Sequence, residues 1–505
     1  MERQGCPWPE VAPEYIGKMR LRWTSFGILL LLYAFAVVAG AQAQGNTIVL
    51  KNGRRISALS VSRDGDKVRY ETAAGTLTLP STIVDHVESG GLPTIPGETL
   101  GGKLSLRPPD AATNDPALSA GKNEVEARLL GTGEVDRGYV AALENEARSG
   151  GEPASSNAAL AHHLAAQLET ARGEMELALA DEQQAVRFAP RQPVFLANLA
   201  YLHLRRSEFT QSLDYLEKAR LAAPNDPDVA KLTGWAYYGL NKLDQAVTEW
   251  QRALALRPDA ETEAALKKAL RDREEEAQYK ENESAHFTLR YSGAAEPVLA
   301  RDVLRTLERH FAAIESELGY APPDPIGVVL YTQQAFADIT QAPAWVGALN
   351  DGRIRVPVQG LGSVTPELSR VLRHELTHSF VQQKGRGRAP AWIQEGLAQW
   401  AEGKRSDGTA AALARMAAGS PAGVAAHFEG DWMKMPNEAA AAAYAWALAN
   451  VECILHSGGM TDMQRILDRL AAGEAPEAAV RAVTRDDYAA LTTDTLEYLR
   501  QTYGN

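Results

Sequence analysis

At 505 residues, 45% of them hydrophobic, the chain has the length of roughly three or four domains and the apolar content to give them cores. Lysine and arginine total 52 against 64 aspartates and glutamates, a net charge of −12. That balance excludes a basic field for nucleic acid, and the apolar content excludes a disordered chain.

The amino terminus reads as a signal peptide over residues 1–43. Arg20 and Arg22 precede an apolar run from Phe26 to Ala39, and Ala41-Gln42-Ala43 offers the small residues of a cleavage site. Glu2, Glu10 and Glu14 do not suit the start of such a segment, which points to Met19 as the natural start. The apolar run is shorter than the ~20 residues a helix needs to span a bilayer, so no stable membrane span is expected. The expected location is periplasmic or secreted, with a mature chain from near Gln44. Cys6 would leave with the signal, and Cys453 would remain alone as a small buried hydrophobe, so export without disulfides is expected.

Residues 44–88 predict a small β domain. Ile48–Leu50, Arg55–Val61, Lys67–Glu71 and Thr76–Leu79 read as strands, with Asn52-Gly53, Asp64-Gly65 and Gly75 as turn signals between them. Residues 89–120, carrying Pro93, Pro96, Pro108, Pro109 and Pro116 among glycines, read as an extended linker.

The middle of the chain is periodic. Pro190, Pro224 and Pro258 are 34 residues apart (224 − 190, 258 − 224), and Ala185, Ala219 and Ala253 share one register, as do Ala178, Ser212 and Ala246. Ala200 aligns with Gly234. Small residues at these places let paired helices approach, while Leu216, Trp250, His203 and Tyr237 fill the interface. The period resembles the tetratricopeptide repeat over roughly residues 157–258, with 260–279 as a polar capping helix and 121–149 as a further degenerate helix pair. The resemblance implies an α-solenoid over 121–280 whose groove takes a peptide or a protein partner. Glu274, Glu275 and Glu276 read as a solvated helix face. From Tyr279 to His286 there is little slack before the next domain.

Residues 281–505 read as an α+β domain. His286–Tyr291 alternates as a strand, Pro297–Leu318 is amphipathic at helical spacing, Ile326–Tyr331 is a buried strand, and Gly352–Pro357 fits an edge strand. A helix then carries His374-Glu375-Leu376-Thr377-His378, opened by Ser363 or Thr365 with Pro366 and Glu367, and closed at Gly385. Histidines four apart on a helix lie about 40° apart around its axis, so both imidazoles can face one metal ion. Glu375 can reach a water on that ion as general base. A catalytic zinc takes three protein ligands and keeps one open position. The third is assigned to Glu395, in a second helix, 391–402, with Gln399 one turn beyond it to hold a ligand histidine.

The paired motifs, His374-Glu375-Leu376-Thr377-His378 and Trp392-Ile393-Gln394-Glu395-Gly396-Leu397-Ala398, resemble the gluzincin metallopeptidases of the peptidase MA-like group. The resemblance covers roughly residues 283–505. Where thermolysin-like relatives carry an aspartate one turn after the third ligand, this chain has Gln399. The resemblance implies a Zn2+ cofactor, a peptide or protein substrate laid antiparallel along the edge strand, and a Tyr or His from the helical tail at the oxyanion. Tyr444 is the residue assigned there, with His427 and His456 behind it. The expected whole is an α+β multidomain chain: a small β domain, a tetratricopeptide solenoid and a zincin-like catalytic domain. Its expected function is that of an exported zinc metallopeptidase. The alternatives are a repeat scaffold whose metal domain is inactive or structural, and a hydrolase that uses the same water on another amide or ester.

Overall fold

A computed structural model describes residues 45–504 apart from 52–54, 59, 66, 73–74, 92–108, 110–115, 131–132, 293–296, 341–347, 359–360, 420–427 and 429–436. The signal segment and most of the Pro/Gly-rich stretch therefore lie outside the described residues. Among those described, no helix is long and apolar enough to cross a membrane.

The amino-terminal strands are β1 Gly45–Leu50, β2 Arg55–Ala58, β3 Ser60–Asp64, β4 Lys67–Thr72, β5 Gly75–Pro80 and β6 Val84–Gly91. They form two three-stranded antiparallel sheets, ordered β2-β1-β6 and β3-β4-β5, with Ile48, Val68, Tyr70 and Val84 buried at the centre. The run 55–61 read as one strand is in fact two, one in each sheet. The strand β6 went unread because what selects it is pairing with β1, some forty residues earlier, which no local pattern reports.

Helices then run from α1 Pro116–Leu129 and α2 Arg137–Gly150 through three pairs: α3 Glu152–Arg172 with α4 Met175–Phe188, α5 Pro193–Arg205 with α6 Phe209–Ala222, and α7 Pro227–Gly239 with α8 Leu243–Leu256. The starts of α4, α6 and α8 are 34 residues apart (209 − 175, 243 − 209), so the chain holds tetratricopeptide-like helical repeats. The turn inside each pair repeats too. Gly173, Ser207 and Asn241 all take left-handed backbone, at φ of 78°, 58° and 61°. Close approach explains the small residues: a Cβ on Gly234 would sit 2.4 Å from the Trp250 ring, whose Nε1 donates to the Lys231 carbonyl at 3.2 Å. Ala185, Ala219, Ala178, Ser212 and Ala246 are fully buried. A last helix, α9 Ala260–Glu276, caps the array.

Beyond it lie β7 Lys280–Glu283, β8 Phe287–Tyr291, α10 Pro297–Leu318, β9 Ile326–Tyr331, α11 Gln333–Thr340, β10 Leu349–Asn350 and β11 Arg353–Pro357. The sheet order is β10-β11-β9-β8-β7, parallel through β8, β9 and β11 and antiparallel at both margins. One face, with Phe287, Leu289, Val328, Leu330, Ile354 and Val356, enters the largest core alongside α10. Contrary to expectation, β11 is not an edge: β10 pairs with Ile354 and Arg355, and every residue of β11 is buried.

The carboxyl-terminal helices are α12 Pro366–Lys384, α13 Ala391–Ala401, α14 Ala410–Gly419, α15 Asn437–Ala471, α16 Pro476–Thr484 and α17 Tyr488–Tyr503. Left-handed backbone at Gly459 (φ 67°) breaks α15. Cys453 is buried and free, and burial pushes its thiol pKa up.

Candidate metal centre

Sequence and packing both place α12. Thr365 caps it by accepting from the Leu368 amide at 3.1 Å, Pro366 opens it, and Leu368, Leu372, Leu376 and Phe380 are fully buried in the core. From His374 to Val381 every residue is buried, and His374, Glu375 and His378 lie at 0–1% exposure. Helix α13 starts after Pro390 and packs on α15. A Cβ on Gly396 would lie 2.4 Å from the Ala447 carbonyl oxygen, so the glycine is what lets these two helices approach.

Three of the predicted residues converge. His374 Nε2 and His378 Nε2 are 3.1 Å apart, and Glu395 places Oε2 3.6 Å from the first and Oε1 3.6 Å from the second. Donors about 2.0–2.1 Å from a tetrahedral zinc would be about 3.3 Å apart, so the three separations fit such an ion. Among the described residues, this is the one group of three or more such side chains whose donors lie close enough to share a metal, within 4.8 Å of one another. Glu395 Oε2 and both oxygens of Glu375 are buried without a hydrogen-bond partner. Orphaned buried carboxylate oxygens are costly, and such groups commonly have an ion or a reaction to serve.

The ring orientations come from residues the sequence reading did not assign. His374 Nδ1 donates to Glu402 Oε1 at 3.2 Å, and Lys404 Nζ lies 2.8 Å from the same oxygen. His378 Nδ1 donates to Gln394 Oε1 at 3.4 Å, and Gln394 in turn donates to Gln382 Oε1 at 3.1 Å. Both contacts turn a ring's Nε2 toward the cluster, the arrangement a metal-binding histidine needs. Gln399, assigned that role, instead donates to the carbonyls of Glu395 and Tyr444 at 3.2 and 3.0 Å and ties α13 to α15. Glu402 was legible in principle: seven residues after Glu395, it returns to the same helix face. Asn350 had no local signal. Its side-chain amide donates to the Glu375 carbonyl at 2.8 Å and to Ser379 Oγ at 2.7 Å.

Electrostatically the cluster is divided. Burial lowers the pKa of His374, but Glu402 and Glu395 outweigh it and hold the imidazole up to about 10. Burial, with charged His374 beside it, pulls His378 down to about 4. Burial raises Glu375 to about 8, with Glu395 and Glu402 adding to the rise and His374 opposing it. Glu402 stays ionised against burial, down to about 2, because His374 and Lys404 flank it. A divalent cation between the Nε2 atoms would replace the proton this field puts on His374 and would favour ionised Glu375.

Tyr444 is buried in the core on α15, and its backbone carbonyl is what the structure ties to α13. His456 is exposed and lies against the Tyr498 ring, outside the cluster. His427 lies outside the described residues.

No family model and no curated protein matches the chain. Solved structures align with part of it. The first tetratricopeptide domain of Spaghetti (RPAP3) bound to an HSP90 peptide aligns at 22% identity over 23% of this chain and 91% of its own, with a TM-score of 0.22. The Arabidopsis OM64 tetratricopeptide domain gives 18%, 23%, 96% and 0.22, and a MamA double mutant 19%, 32%, 85% and 0.25. At these scores the repeat assignment stands on the 34-residue register and the paired helices of this chain.

Proposed function

We propose that the chain is an exported zinc-dependent peptidase, with the repeats presenting polypeptide to the metal domain. The observation that carries this reading is the convergence of His374 Nε2, His378 Nε2 and the Glu395 carboxylate beside the unpartnered, buried Glu375. Zinc held there would supply Lewis acidity toward a scissile carbonyl and would lower the pKa of a water to roughly 7. Glu402 and Gln394 hold the two imidazoles as Nε2 donors. Glu375 takes the proton of the attacking water and passes it to the departing amine. The oxyanion role of Tyr444 rests on the gluzincin resemblance and is tested by Tyr444→Phe, which should lower kcat with zinc unchanged. Export rests on the sequence features of residues 1–43.

The second reading is a repeat scaffold with a structural metal domain. It is favoured by the extent of the repeat array, which offers a partner surface independent of any chemistry. The two readings separate on the full mature chain. His374→Ala, His378→Ala or Glu395→Ala should drop bound zinc well below one per chain, while Glu375→Gln keeps zinc and abolishes cleavage of a peptide library. A zinc-loaded wild-type chain that cleaves nothing, or a Glu375→Gln variant as active as wild type, would sink the peptidase reading.

A further inference from the structure

Of the α9 residues expected on a solvated face, Glu274 is exposed and Glu275 half-buried, but Glu276, together with Asp272, is buried against the carboxyl-terminal half. Asp272 and Glu276 are 1% and 4% exposed, and they meet Arg353 and Arg355 of β11, which are equally buried. Arg353 donates to Asp272 at 3.2 Å and to Glu276 at 2.6 Å. Arg355 donates to Asp272 at 2.8 Å and to Asp351 at 2.9 Å. Lys268 adds a 2.6 Å contact to Asp351, Tyr238 of α7 donates to Asp272 at 3.2 Å, and Tyr331 of β9 donates to Glu276 at 2.8 Å. Arg290 donates to Glu276 at 3.2 Å and to Glu281 at 2.8 Å, so four carboxylates face four cations and the cluster is neutral overall, which favours its burial.

This network ends at the β10–β11 turn, and Asn350, the last residue of β10 before that turn, reaches α12. Asn350 accepts from the Gly352 amide at 3.1 Å while donating to the Glu375 carbonyl and Ser379 Oγ. The repeats hold a second point as well, on the connection that leads into α13. Arg388 Nη2 donates to the Gly473 carbonyl at 2.8 Å and Nη1 to the Gly173 carbonyl of a repeat turn at 3.5 Å, while Arg386 lies 3.5 and 3.6 Å from Glu176 and Glu208 of the repeats. One contact bears on the helix carrying His374, Glu375 and His378, and the other on the approach to Glu395.

We propose that the repeat array is a positioning element of the metal centre, in which the α9 network fixes Asn350 and Asn350 holds the Glu375–Ser379 turn of the metal helix. This rests on the reading of His374, His378 and Glu395 as metal ligands. Asn350 acts through the backbone of Glu375, so it is a positioning residue. Its loss should move the general base without removing a ligand, and misplacement on the order of 1 Å can cost about 100-fold in rate.

The test uses the full mature chain loaded with zinc, comparing wild type with Asn350→Asp and with the isosteric pair Asp272→Asn/Glu276→Gln. Three quantities are read: zinc per chain, kcat and KM on a peptide, and hydrogen exchange in peptides covering residues 372–382. Zinc should stay near one per chain. Exchange should rise about tenfold or more in 372–382 and little elsewhere in the metal half, and kcat should fall about 10–100-fold with KM within about twofold. General destabilisation would instead raise exchange throughout and release zinc, and that outcome overturns the proposal, as does wild-type exchange in Asn350→Asp. A wild-type chain that binds zinc without cleaving would sink the peptidase reading but leave the exchange readout to decide this one. If the α9 double variant does not fold, Lys268→Gln replaces it, since that side chain is 37% exposed and its removal leaves Asp351 paired with Arg355. It should give the same local rise in smaller measure, and unchanged exchange there would overturn the proposal.

Discussion

Gly396→Ala tests whether the spacing of two helices sets the metal centre. The added Cβ would stand 2.4 Å from the Ala447 carbonyl oxygen, 2.9 Å from its carbon and 2.6 Å from Val451 Cγ2, where ordinary contact begins at 3.4 Å. The first two atoms are helix backbone and cannot rotate away, so α13 must move off α15 by about 1 Å, the difference between 3.4 and 2.4 Å. Overpacking of this kind costs about 1–3 kcal/mol, and exchanging glycine for alanine inside a helix returns about 0.5–1 kcal/mol, leaving a net loss of roughly 0–2.5 kcal/mol, centred near 1. The same displacement carries the neighbouring Glu395, whose oxygens must lie about 2.0–2.2 Å from a zinc ion. The melting temperature should fall by a few degrees in metal-free protein, and zinc affinity, measured by competition with a chromophoric chelator, should fall about 10–100-fold. A variant that melts at or above wild type and binds zinc equally well would show that neither the contact nor the helix spacing matters.

Two further outcomes follow from the residues around the cluster. Glu402→Gln, which removes the charge behind His374, should weaken zinc binding about tenfold while leaving the fold intact. Gln394→Ala should do the same through His378, and chelator competition at one pH reads both. Burial raises the Asp351 pKa, but Arg355 and Lys268 outweigh it and hold the carboxyl well below the usual carboxylate range. Its stabilising contribution is therefore complete above its unfolded value of about 3.9 and is lost as pH falls toward the lower folded value. Denaturant titrations from about pH 6 downward should show a shallower acid loss in Asp351→Asn than in wild type; an equal slope would remove Asp351 from the acid response.

Local chemistry wrote the repeats and the clustered histidine pair into the sequence. A 34-residue register needs only small residues at fixed offsets, and an i, i+4 pair of histidines needs only a capped helix, so Ala219, Gly234, Thr365, His374 and His378 could all be placed without tertiary knowledge. Glu395 followed because its helix was equally well bounded. What failed depended on partners distant in the chain. The Arg353-Ile354-Arg355-Val356 alternation looks like a strand with one wet face, and nothing within it reports that α9 supplies Asp272 and Glu276 some eighty residues earlier. Gln399 was read by analogy of position, and its amide went to carbonyls because α15 approaches there.

The same buried network bears on whether the repeats are a detachable recruiting module. A metal half cut away after α9 would keep the strand that carries Arg353 and Arg355, each 0–1% exposed, and lose Asp272 and Glu276. Such a cut removes the covering helices together with the carboxylates, so both guanidiniums would regain water while losing the partners that fix their positions on β11. Asp351 would partly compensate for Arg355, but among the described residues Arg353 has only the α9 carboxylates as acidic partners. Through these contacts the repeats stand in the structure as one wall of the carboxyl-terminal half. On the proposed reading, any polypeptide they hold would be presented by the same body that positions Glu375, which would make recruitment and alignment two consequences of one interface.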